Sequence, residues 1–188
     1  NAAAAGSVVY FPAGTYNLAT WSVYSLGKRL WLRGEGIQST ILKGTAAASF
    51  LSITADFRCS DLTLDTWSTA FNFSSLTTVL EAVLIEDVEI KTYLRGVYAD
   101  TATVGAGVRN FAVRSCKFTT GTSYAILIEL PTMEKMHIAG NVIKTCVQRG
   151  ISLGDNTLLF ADDRGEYIID GNVVDGVSGG ASSAFGII

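Results

Sequence analysis

The chain has 188 residues, 48% of them hydrophobic and only 16% charged, with a net charge of −3. An ordinary domain carries about 25% charged residues, so much of this chain must be buried or covered in an assembly. The absence of any Lys/Arg cluster argues against a nucleic-acid partner, and no apolar run approaches the roughly 18 residues that span a bilayer.

In chain order the sequence offers short β-rich runs rather than helical periodicity: Val8 to Phe11, Arg29 to Leu32, Tyr124 to Ile128 and Tyr167 to Ile169. Gly, Ser, Thr and Asp punctuate them, as turns require. Five ten-residue blocks align without gaps: FRCSDLTLDT from Phe57, VLIEDVEIKT from Val83, FAVRSCKFTT from Phe111, MHIAGNVIKT from Met136 and YIIDGNVVDG from Tyr167. Their first, third, sixth and eighth positions are mostly apolar. This pattern is period-two alternation, a bend after the fourth residue, then alternation resumed. Block starts lie 26, 28, 25 and 31 residues apart, which suits stacked coils joined by turns of differing length. A further short strand is expected after each block, beginning near Phe71, Val97, Ile126, Ile151 and Phe185. Three strands in a coil of about 25 residues predict an all-β, right-handed parallel β-helix. Asn141 and Asn172 share the sixth position and are expected to stack as an internal amide ladder. Cys59, Cys116 and Cys146 show no CxxC spacing and read as buried thiols.

The run Gly6 to Tyr16 (GSVVYFPAGTY), with Leu32 to Gly36 and Ser39 to Lys43, resembles the opening signature of the pectate-lyase-like β-helix superfamily. That superfamily includes polysaccharide lyases, glycoside hydrolases and phage tailspikes. The resemblance implies one β-helix domain over residues 1–188, with cap-proximal coils to residue 45 and stacked coils from 46 onward. Most of the usual capping helix is missing. The strand-like Phe185 to Ile188 at the other end adds to the expectation of a segment of a larger solenoid. The matching motifs are structural and carry no catalytic residue across.

Candidate chemistry therefore comes from alternation. If Val97, Ile126 and Ile151 face inward, then Tyr98, Leu127 and Ser152 face outward, as do Asp100, Glu129 and Gly154. Asp100 and Glu129 would be neighbours roughly 5 Å apart on adjacent coils, the separation of a retaining glycosidase pair. Asp155 lies one residue past the same column and is a third candidate. A Ca²⁺ ion would relieve repulsion among these carboxylates; no other cofactor is indicated. Trp67 and Tyr93 fall at one turn on adjacent coils and, with Tyr98, are the candidate sugar-stacking platform. His137 is the lone histidine, so neither a catalytic triad nor a histidine-ligated metal is supported.

Three functions remain open at this point. One is a phage tail spike or fibre that recognises, and where competent cleaves, cell-surface polysaccharide as a homotrimer or larger assembly on a virion tail. Another is a secreted, extracellular polysaccharide lyase or glycoside hydrolase. The third is a structural solenoid without catalysis.

Overall fold

The computed structural model describes residues 4–18, 24–101, 103–154, 165–177 and 185–187, and every regular element among them is a β-strand. The chain begins with β1 (Ser7–Tyr10), β2 (Gly14–Asn17), β3 (Tyr24–Leu26), β4 (Leu30–Arg33), β5 (Thr40–Lys43) and β6 (Ser49–Ile53). It continues with β7 (Phe57–Asn72), β8 (Val79–Asp100), β9 (Gly107–Arg114) and β10 (Lys117–Glu129). The last elements are β11 (Lys135–Ala139), β12 (Val142–Cys146), β13 (Arg149–Leu153), β14 (Glu166–Asp170), β15 (Val173–Val177) and β16 (Phe185–Ile187).

These strands form three ladders, parallel throughout. Ladder one runs β1, β4, β7, β8, β9, β11, β14. Ladder two runs β2, β5, β7, β8, β10, β12, β15. Ladder three runs β3, β6, β7, β8, β10, β13, β16. Because β7 and β8 contribute to all three, the chain winds as a parallel β-solenoid. The gapless block alignment is its physical register: Phe57, Val83, Phe111, Met136 and Tyr167 are successive Cα partners, as are Leu64, Ile90, Phe118, Ile143 and Val174.

Single residues in the left-handed region turn the long strands. The fifth block position holds Asp61, Asp87, Ser115, Gly140 and Gly171, with φ of 60, 51, 52, 64 and 61°. The tenth holds Thr66, Thr92, Thr120, Thr145 and Gly176, with φ of 60, 46, 59, 56 and 74°. One such residue between extended runs reverses the inward and outward alternation, so both flanking strands face one interior. β-Branched threonine is costly there, and the ladder bonds on either side hold it in place.

The interior is a continuous apolar column in which most side chains are fully buried. Its aromatic rings meet across coils, with centroids 5.0 Å apart for Phe50 and Trp67 and 5.4 Å for Phe73 and Phe111. The buried side-chain amide of Asn141 is satisfied, whereas the Tyr93 hydroxyl is buried without a hydrogen-bond partner among the described residues. Asn141 Nδ2 donates to Val113 O and Asn172 Oδ1 (both 2.9 Å), while its Oδ1 accepts from Cys116 N (3.0 Å). An unsatisfied amide here would cost about 1–3 kcal/mol. The predicted amide ladder is therefore present. All three cysteines are buried free thiols, and burial pushes the Cys116 pKa up to about 12.

The outer face of ladder two carries an alternating charge column of Lys43, Asp65 and Lys91 on consecutive coils. Beside it Glu89, 1% exposed, meets Lys117 at 2.7 Å and Lys91 at 3.3 Å. Burial alone would raise the Glu89 pKa, but the two ammonium groups outweigh it and hold it below the ordinary 4.5.

Two predictions follow from this packing. A Cβ on Gly121 would run into the Tyr93 ring, whereas one on Gly140 (φ +64°) meets nothing closer than 3.9 Å. Gly121→Ala should cost about 1–3 kcal/mol by overpacking, and Gly140→Ala about 1–2 kcal/mol by backbone strain alone. A Tyr93→Leu background should relieve the first cost and leave the second unchanged in denaturant titrations. Separately, a depressed Glu89 pKa stabilises the fold above pH 4.5 and loses that contribution as pH falls through the folded value. Glu89→Gln should therefore lower the melting temperature at pH 7, with the deficit closing towards pH 3.

Candidate functional site

In ladder three the alternation is strict near the end of each strand. Val97, Ala99, Ile126, Ile128 and Ile151 are all fully buried. Tyr98, Leu127 and Ser152 lie between them on the outer side, in register on three successive coils. Two residues on, Asp100 and Glu129 are direct Cα partners on adjacent strands of β8 and β10, both half-buried. Neighbouring strands sit about 4.8 Å apart, so the carboxylates share one column one coil apart.

A second outward column stands beside this one: Arg95, Tyr124 and Arg149, again in register. The Arg95 guanidinium lies 4.2 Å from the Tyr98 ring centroid, and Arg149 lies 5.8 Å from that of Tyr124. Arg149 also donates to Ser152 Oγ at 3.1 Å. Beside these guanidinium and phenol groups, Leu127 and Ser152 are only 4% and 2% exposed although they face outward. Alternation counted from the inward-facing strand ends alone does not reveal the column of Arg95, Tyr124 and Arg149. Their signal was a recurrence 12 or 13 residues after the block starts at Val83, Phe111 and Met136.

The Tyr98 hydroxyl donates to Asp100 Oδ2 at 2.7 Å. Burial, this bond and the Asp100 charge together push the Tyr98 pKa up to about 12, against the opposing pull of Arg95. The phenol thus remains a proton donor and fixes the orientation of Asp100.

Trp67 and Tyr93 do not form a stacking platform. They are 1% and 2% exposed, stacked inside the coil as registered partners. The physical reason is the left-handed Thr66 and Thr92 immediately before them, which turn the next side chain inward. Room for the rings comes from glycine: a Cβ on Gly44 would clash with Trp67, as one on Gly121 would with Tyr93. Trp67 Nε1 donates to Leu42 O at 3.1 Å. Of the three aromatics, Tyr98 alone belongs to the outer face. Asp155 lies outside the described residues.

A Ca²⁺ ion takes about six to eight oxygen ligands. Among the described residues, which do not include Asp155, no group of three or more His, Cys, Asp or Glu side chains is placed to hold a metal ion. No helix among the described residues is long and apolar enough to cross a membrane. Comparison with family models, with curated proteins and with solved structures returns no match for this chain.

The Tyr98 environment is testable by tyrosinate absorbance, with Tyr98→Phe identifying the transition. Asp100→Asn removes one charge and should lower the Tyr98 pKa part of the way from about 12 towards 10, burial retaining the remainder. A transition that does not move would show that the carboxylate contributes nothing.

Proposed function

We propose that this solenoid is of the pectate-lyase-like, tailspike kind, and that ladder three binds cell-surface polysaccharide and cleaves it at Asp100 and Glu129. The observation carrying this reading is that the two carboxylates are Cα partners on adjacent coils. That spacing suits a retaining pair, whose carboxyls lie about 5–5.5 Å apart. Asp100, oriented through Oδ2 by Tyr98, would attack the anomeric carbon with Oδ1. The glycosidic bond would break as Glu129 gives its proton to the departing oxygen. Glu129 would then deprotonate a water that displaces Asp100 and releases the sugar. Tyr98, Tyr124 and the two arginines supply ring faces and hydrogen-bond donors for hydroxyl groups. On this reading the working unit is a homotrimer or larger assembly on a virion tail. A secreted lyase or hydrolase would use the same face.

The test is reducing-sugar release from a panel of capsular polysaccharides and lipopolysaccharides. Asp100→Asn and Glu129→Gln should each reduce turnover by about 10²-fold or more, the scale of a lost acid–base group. Undiminished turnover in both variants would remove the pair from the chemistry. Binding without turnover in the wild type would leave ladder three a recognition surface only.

A further inference from the structure

Away from Asp100 and Glu129, the outer face of ladder one is hollowed. Two adjoining recesses of about 350 and 360 Å³ share Arg58 and Ala82. Their floor is one column of outward residues on successive coils: Trp31, Arg58, Leu84, Ala112, His137 and Ile168. Four of the six are apolar, and Ile168 is 40% exposed.

Charged residues form the walls, and their carboxylates are already engaged. Asp56 accepts from Arg29 (2.8 Å) and from the backbone N–H groups of Glu81 and Ala82 (2.8 and 3.2 Å). Glu86 pairs with Arg114 at 2.8 Å, and Glu166 with Lys135 at 3.4 Å. Arg58 differs: it is exposed, stands in the floor where the recesses meet, and has no ion-pair partner among the described residues. An unpaired cation in an apolar floor is complementary to an anion carried on an apolar surface.

We propose that this face is a second, non-catalytic saccharide site whose ligand is an oligosaccharide bearing carboxylate groups. The C–H faces of its sugars lie on Trp31 and Leu84, one carboxylate meets Arg58, and the polar walls receive the hydroxyls. An extended peptide fits less well. The backbone groups of ladder one are committed to neighbouring coils, so strand addition to this face has no free partners. The site stands independently of any cleavage at ladder three.

The experiment is calorimetric titration in an Asp100→Asn background, so that turnover cannot consume the probe. Carboxylated fragments of hyaluronan, alginate and glucuronan are compared with neutral chitohexaose and dextran fragments. At least one carboxylated probe should bind, with at least tenfold preference over the neutral ones, and Arg58→Gln should weaken it at least tenfold. Trp31→Ala should weaken it comparably, while Arg58→Gln, a surface change, keeps the parental melting temperature. The proposal is overturned if no carboxylated probe binds, if neutral probes bind equally, or if Arg58→Gln has no effect. Equal binding of a polyglutamate peptide overturns it as well. So does light scattering that shows an oligomer dissolved by Trp31→Ala, which would make the face an interface between copies.

Discussion

Rung-to-rung backbone hydrogen bonding, repeated at about 4.8 Å along three ladders, is the constraint on which everything else in this molecule rests. It places equivalent residues of successive coils directly over one another. A side chain's surroundings are then set by two neighbours in its own column and by the columns beside it. Inside, this makes a buried amide tolerable, because Asn141 finds Asn172, Val113 and Cys116 at fixed distances. Outside, it turns an accident of sequence into a surface feature, since a charge or ring on one coil meets whatever its column holds on the next.

The three faces have diverged under that common rule. Ladder two carries alternating charges and a fully covered carboxylate between two lysines. Ladder three carries stacked guanidinium and phenol groups beside two adjacent carboxylates. Ladder one carries an apolar floor between paired charges. The low overall charge therefore does not mean a featureless exterior. The few charges are placed where the columns bring them together.

Much of this order was legible in the sequence, because period-two alternation and the gapless blocks report the same register as the ladders. The amide stack and the adjacency of Asp100 and Glu129 followed from counting along the blocks. The failure came at the tenth block position. Threonine there resembles a strand residue, since its branched side chain favours extended backbone, yet the threonines of four successive coils take φ between 46 and 60°. Without that bend, Trp67 and Tyr93 are assigned to the exterior. The informative signal sat one coil away, where Gly44 and Gly121 leave space for a ring. Leu127 was placed on the outward side as expected, but its near-complete burial is not encoded by any alternation pattern.

Contacts between consecutive coils have a consequence for how such a molecule can change. A whole coil is an exchangeable unit: gaining or losing one leaves the remaining registers intact. Asp100 and Glu129 straddle a single boundary, so any property they share travels with just two coils and survives duplication or deletion elsewhere. A floor spread over six rungs behaves differently, lengthening or shortening by one step with each coil exchanged.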